Sequence, residues 1–406
     1  MDFEPWWLIS LPVLFGLGWV AARVDIRQML SETRTLPDSY FKGLNFILNE
    51  QPDRAIDAFI EVVKLDPETT ELHFALGGLF RRRGEIERAI RVHQSLLARA
   101  DLPAAEREHA QHELAQDFLK AGMLDRAEQA FLSVQETRFA VPAVRALVRI
   151  YESGHDWPRA IEAVKKLKSL VDEPVPQLVH YQCEQAQAAL AAKPARIEVA
   201  ITALDAADHA LRALKAKDQT LASQARVAML RAAVARLSGQ PTQERHFLEQ
   251  VLAQAPDYAG LVASDLIANY QQAGQGEQGL ALLKAHYLSH PTLDLFNVVF
   301  RELRVQEGYA RAWAFAREAL RSHPSLLGLD RLLEAELAIG EEPRQGNTIV
   351  PDADLGLLRS LIHKHTQRLD RYACNACGFE ARHFYWQCPG CNAWETYPPR
   401  RLEEVK

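Results

Sequence analysis

The strongest constraint on how this chain can fold is a recurrence of residue types at an offset of 34 positions. Gly43, Phe46, Ala55, Phe59 and Pro67 set out the pattern. Gly77, Phe80, Ala89 and His93 repeat it, with Leu76 before the glycine and Gly84 at the following turn. After an insertion of four residues, Leu114, Ala115, Phe118, Gly122, Ala127 and Phe131 form a third copy, and Leu147, Tyr151, Ala160 and Val164 a fourth. Between residues 40 and 340 Ala, Leu, Glu, Gln and Arg dominate, all good helix formers. Small residues such as Gly43, Ala55, Gly77 and Ala89 allow two helices of a hairpin to approach closely. Phe46, Phe59 and Phe80 then fill the space between hairpins. Gly84 and Gly122 suit the turns, and Pro67 ends a helix.

This small/aromatic/Ala/aromatic/Pro unit resembles the tetratricopeptide repeat, a helix–turn–helix of 34 residues. The period blurs over residues 177–237, which read as long Ala-rich helices broken at Lys193-Pro194 and around Lys217-Asp218. It returns with Gly239 and Pro256, Tyr270, Gly274 and Pro291, then Ala312 and Pro324, for seven recognisable units and one or two degenerate ones. A polar loop over 341–353 precedes a last helix near Leu355 to Arg371. Stacked hairpins form a superhelix with a concave face suited to protein segments. Arg81, His109, His112, Arg145 and Arg149 are the positions expected to line it, favouring an acidic or polar segment; the reading that they are simply solvated surface stays open.

Pro5 to Ala22 is a run of eighteen residues without a charge. As a helix it spans about 27 Å, close to the hydrocarbon thickness of a bilayer. Trp6, Trp7 and Trp19 lie near its ends, as interfacial rings do. Asp2 and Glu4 precede the run and Arg23 and Arg27 follow it, which argues against a cleaved signal peptide and places the following chain in the cytoplasm. A buried core helix is the remaining alternative.

Four of the five cysteines fall within eighteen residues, as Cys374-x-x-Cys377 and Cys388-x-x-Cys391. In a reducing cytosol such pairs point to a metal site rather than to disulfides. Four thiolates close a tetrahedral shell around one ion, iron or zinc, in the manner of a structural site. Gly378 and Pro389-Gly390 are expected to let backbone N–H groups face the sulfurs. His363, His365 and His383 are not needed as ligands, and lone Cys183 reads as a buried small hydrophobe. The pairs resemble rubredoxin knuckles, with a ten-residue spacer and Asn392 where glycine is usual. Tyr372, Phe379, Phe384, Tyr385, Trp386, Trp394 and Tyr397 crowd this module. Since so small a domain lacks a sufficient core, these rings are expected to dock it onto the last repeats.

The expected architecture is all-α: a transmembrane anchor (1–22), a juxtamembrane linker (23–38), a tetratricopeptide-repeat superhelix (39–340), a loop and terminal helix (341–370) and a rubredoxin-like metal domain (371–406). That order resembles the lipopolysaccharide assembly protein B family along essentially the whole chain. The resemblance carries the metal ligands over to Cys374, Cys377, Cys388 and Cys391 and carries over no catalytic residue. It implies a non-enzymatic adaptor at the inner membrane, with its bulk in the cytoplasm, restraining lipopolysaccharide synthesis. The implied partners are the membrane protease FtsH, the deacetylase LpxC, whose degradation it promotes, and other lipopolysaccharide-assembly proteins. A homodimer is left open. The alternative is a membrane-tethered electron carrier of rubredoxin type. The net charge of −6 and the small basic surplus of the tail argue against a nucleic-acid partner.

Overall fold

A computed structural model describes residues 51–65, 70–171, 173–215, 219–340 and 352–405, with residues 15, 16, 19, 41–43, 45, 46 and 49 before them. The expected anchor and linker fall outside these residues except at Phe15, Gly16 and Trp19. Among the described residues no helix is long and apolar enough to cross a membrane. The chain divides into two compact units, Met1–Ile150 and Tyr151–Lys406.

In the first unit helices α1 (Pro52–Leu65), α2 (Thr70–Arg83), α3 (Ile86–Leu97), α4 (Ala104–Lys120) and α5 (Leu124–Val134) precede α6 (Ala140–Ser153), which runs past the division. Their core follows the repeat positions: Ala55, Phe59, Leu76, Phe80 and Ala89 are buried together. The glycines are there for the reason the pattern suggests. A Cβ on Gly43 would stand 2.6 Å from the Phe59 ring, and one on Gly77 would collide with the His93 ring. Gly84 and Gly122 adopt φ of +88° and +73° in the turns, and His155 takes the same left-handed conformation at the next one.

The second unit continues with α7 (Trp157–Leu170), α8 (Gln177–Ala191), α9 (Ile197–Ala213), α10 (Leu221–Leu237), α11 (Pro241–Gln254), a 3-10 turn (Pro256–Tyr258) and α12 (Ala259–Gln272). Then come α13 (Gly276–Ser289), α14 (Leu293–Glu307), α15 (Tyr309–Ser322), α16 (Leu326–Gly340) and α17 (Asp352–Leu369). Asp156, Thr220 and Thr292 cap α7, α10 and α14 by accepting from the backbone N–H three residues on. Leu248, Val262, Leu266, Leu283, Phe296 and Val299 belong to one continuous apolar core. The breaks expected at Lys193-Pro194 and near 217 separate α8, α9 and α10. Helix α10 buries Ser223, Arg226, Val227, Ala232 and Ala235, residues spread around its circumference. No single-faced period survives in a helix packed on several sides.

After α17 the chain forms a two-stranded antiparallel ribbon, β1 (Tyr372–Ala373) with β2 (Glu380–Ala381), and ends in a short helix, α18 (Leu402–Val405).

Candidate metal centre

Each Cys-x-x-Cys pair is a tight turn held by its own backbone. The Gly378 N–H donates to the Cys374 carbonyl and the Asn392 N–H to the Cys388 carbonyl, both at 2.8 Å. The Cys374 N–H reaches the Phe379 carbonyl at 3.0 Å, and the Cys388 N–H reaches that of Ala393 at 2.9 Å. Ala373 pairs with Glu380, and Gln387 bridges Trp394. The second turn therefore copies the first fourteen residues on. Both turns need a left-handed residue after the second cysteine, at φ +74° for Gly378 and +57° for Asn392. Asparagine enters that region more readily than most side chains, so its replacement of glycine leaves the turn intact.

The four sulfurs lie within 4.8 Å of one another. Cys374 and Cys391 are 3.8 Å apart and Cys377 and Cys388 3.6 Å. A tetrahedral ion with metal–sulfur bonds of about 2.3 Å separates its sulfurs by about 3.8 Å, so the thiols fit one ion. They do not fit disulfides, which need about 2.05 Å. The Ala376 N–H points at Cys374 Sγ (3.4 Å) and the Gly390 N–H at Cys388 Sγ (3.3 Å). The expected help from Gly378 takes another form, since its N–H serves the Cys374 carbonyl. Burial raises the Cys374 thiol, but Thr396 and the backbone N–H groups outweigh it and bring it down to about 6. At Cys377 the Phe379 N–H pulls the thiol down, yet desolvation and the neighbouring sulfurs hold it up at about 12. Four thiolates this close require a cation to coexist, and iron and zinc satisfy the set equally. Cys374 and Cys388 are buried while Cys377 and Cys391 are exposed. Cys183 is fully buried in α8, its thiol pushed up to about 12 by burial. His363 faces Asp330 at 3.5 Å and belongs to the helix array.

The module does not dock on the last repeats alone. Its loop from Trp386 to Glu395 is seated on α7, α8 and α10, the stretch where the period blurs. Trp394 stacks on His180, with centroids 4.8 Å apart and planes 10° apart, meets Trp157 and Tyr181 edge-on, and donates its indole N–H to Glu152. Glu395, itself at φ +56°, accepts from His180 Nε2 (2.7 Å), Thr220 Oγ1 (2.6 Å) and Ser223 Oγ (2.7 Å). Arg226, only 2% exposed, lies 5.6 Å from the centroids of both Trp386 and Trp394. Its guanidinium donates to His180 Nδ1 (3.2 Å) and to Glu184. Neutral His180 thus accepts at Nδ1 and donates from Nε2, and desolvation holds its pKa below the ordinary value. Glu395 is desolvated as well, but the donors from His180 and Thr220 keep its carboxyl below the usual range.

A second set of contacts ties down the tail. Trp386 stacks on Tyr258 (5.6 Å, 10°). Asp294 accepts from the Tyr372 hydroxyl and from Arg401 (2.6 Å). On α18, Glu403 accepts from the backbone N–H groups that open α16, and Glu404 from the Leu293 N–H that opens α14 (3.0 Å). Two carboxylates thereby meet the positive ends of two helices. The sequence offered no distinct signal for this network, since Arg226 is one of three arginines, with Arg231 and Arg236, in an Ala-rich helix.

The expected groove residues of the first unit divide. Arg81 is held by Glu113 (2.5 Å) and by buried Asp117 (2.8 Å), which also binds His93 Nδ1 (2.5 Å). His112 is buried and stacked on Phe139 at 4.6 Å, so it packs rather than lines a groove. His109, between Phe74 (4.0 Å) and Phe139 (5.4 Å), is partly exposed, and Arg145 and Arg149 are exposed.

Residues 372–399 match the family described as the rubredoxin metal binding domain. Lipopolysaccharide assembly protein B of Escherichia coli strain K12 is 30% identical over 97% of this chain and 97% of its own length. The protein of the same name from Haemophilus influenzae is 27% identical over 98% of each. A solved tetratricopeptide repeat protein from Parabacteroides merdae covers 74% of this chain and 100% of its own, at 12% identity and a TM-score of 0.31, a superposition too loose to argue from. Full-length identity to the relatives, together with the four-thiol module, makes this chain a member of the lipopolysaccharide assembly protein B family.

Proposed function

We propose that this chain serves lipopolysaccharide assembly as a non-enzymatic adaptor, held at the inner membrane by residues 1–22 with its bulk on the cytoplasmic side. The observation that carries the reading is the seating of the metal module on the helix array. All four thiols are placed to ligate one ion, in a closed shell that would coordinate without turnover. The module's Trp394, Glu395, Arg400, Arg401 and Glu403 hold helices from α7 to α16 in one arrangement. The metal therefore sets the shape of a protein-binding scaffold. The finer assignment is that this scaffold brings LpxC to FtsH for degradation, with His109, Arg145 and Arg149 of the first unit offered to a partner's acidic segment. Arg81 and His112 support that surface from within.

The test is crosslinking in cells from the anchored protein, with LpxC half-life read in parallel. FtsH and LpxC are expected to come down together, and His109→Ala/Arg145→Glu/Arg149→Glu to lengthen LpxC half-life relative to the parent chain. Recovery of neither partner, with LpxC half-life unchanged on depletion, would sink the finer assignment. The exposed edge at Cys377 and Cys391 favours the second reading, an electron carrier. A thiolate–iron absorption that bleaches reversibly at physiological potential, with a defect tied to electron flow, would establish it instead.

A further inference from the structure

Helix α17 ends the helical array, and its two faces are unlike. Toward α16 it turns Leu355, Arg359, Ile362, Thr366 and Leu369, each partly or fully buried, with Arg359 bonded to Glu334 at 3.2 Å. The opposite face carries Asp354, Leu357, Leu358, Leu361, Lys364, His365 and Arg368, all exposed. The last helix of a stacked array ordinarily closes it with a polar outer face. Here Leu357, Leu358 and Leu361 are 61%, 47% and 52% exposed, side by side. Their spacing of three and four is that of a helix–helix seam.

We propose that this face is a homodimer interface, two copies of α17 packing antiparallel across a two-fold axis at Leu361. The charges select that occupant. Asp354 and Arg368 each stand seven residues from Leu361, on the same face and with opposite sign. Antiparallel pairing about Leu361 sets each Asp354 against the other copy's Arg368. It also sets Leu357 and Leu358 beside the other copy's His365 and Lys364, whose carbon stems extend the apolar strip. Parallel pairing would instead set like charges together. Arg368 holds Glu380 at 3.2 Å but is 74% exposed, and Arg371 also faces Glu380 at 3.6 Å, so a second carboxylate can reach Arg368 without stranding the first. An interface that carries the same patch on both sides is the usual form of a two-fold dimer.

The test measures the dimer dissociation constant of the full chain in detergent by sedimentation, with metal content as the check on folding. The wild-type chain is expected to dimerise. Leu361→Glu, Asp354→Arg and Arg368→Asp should each weaken the dimer about tenfold or more. The double variant Asp354→Arg/Arg368→Asp should recover most of that loss, because each new arginine meets a new aspartate across the axis while the local Arg368–Glu380 pair stays broken. A monomeric wild-type chain overturns the proposal. So does a dimer that ignores Leu361→Glu, as one made by the apolar N-terminal run would, or a double variant no tighter than the single ones.

Discussion

Both units bury a charged network among their helices, and the two networks are built at different ranges. In the first unit Asp117 on α4 gathers His93 from α3 and Arg81 from α2, partners 24 and 36 residues away, the span of roughly one repeat at most. His93 stands where Phe59 stands in the preceding copy, so the network rides on the period and leaves it intact. In the second unit Arg226 and His180 meet Glu395 and Trp394, and His180 is 215 residues from Glu395. There the helices α8 and α10 must suit a module encoded at the far end of the chain as well as their neighbours. Local networks decorate a repeat, whereas a distant one overwrites it.

The most severe test of that contrast is removal of the metal. Since binding an ion to such a site is folding free energy for a module of this size, chelation or Cys374→Ser/Cys377→Ser is expected to unfold residues 371–397. Trp386 and Trp394 then leave Tyr258 and His180, and Arg226 is left buried with only Glu184 to balance it. Hydrogen exchange should rise over α8 and α10 and stay unchanged over α3 and α4. Equal loss of protection in both regions would mean that the two networks are not separate.

Point substitutions come next. Arg226→Ala strands Glu184 and removes the cation under both indoles, with an expected cost of about 3–5 kcal/mol in the second unit. Asp117→Ala leaves His93 Nδ1 without its acceptor in the first, costing about 2–3 kcal/mol. Only the former should speed proteolysis of the metal module, and the double variant should show the sum within about 0.5 kcal/mol. Coupling well beyond that would break the comparison. Smaller still is Glu404→Ala, which leaves the Thr292 cap in place but takes the acceptor from the Leu293 N–H at the start of α14, and should cost about 1 kcal/mol or less by chemical denaturation while leaving the metal content unchanged.

These effects also mark what the amino-acid sequence discloses. The repeat helices, their turn glycines at 84, 122, 239 and 274, and the four ligands are legible because each depends on residues close in sequence. Gly308, 34 residues after Gly274, was open to the same reasoning, although at φ +86° and ψ 173° it makes a different turn that leads straight from α14 into α15. The seat of the module was not. Thr220, Ser223 and Arg226 look like ordinary polar residues in an Ala-rich helix until Glu395 is brought to them. The aromatic crowd around the cysteines predicts docking but carries no address. The groove residues illustrate the converse limit: helical position alone does not separate Arg81, committed to Asp117, from exposed Arg149.

The smallest predicted effect is one of pH, and it belongs to the second unit's network. His180 is desolvated, accepts from Arg226 and faces Glu395 and Glu184, and burial keeps its folded pKa below the ordinary 6.5. As pH falls below about 6.5 the unfolded chain takes up that proton before the folded one does. The stability that neutral His180 supports is therefore complete above that value and declines as pH drops toward the depressed folded value. Glu395 has a lowered pKa of its own, so its contribution holds until pH falls below about 4.5 and does not blur the first window. Denaturation monitored by tryptophan fluorescence between pH 7.5 and 5.5 should show this loss in the wild-type chain. His180→Asn keeps a polar side chain beside Glu395 but has no proton to gain, so its profile should be flatter at equal metal load. Because proton competition for the thiolates is common to both proteins, only the difference between them reports on His180. Identical slopes would show that the seat of the module is insensitive to this histidine's charge and that acid acts through the metal alone.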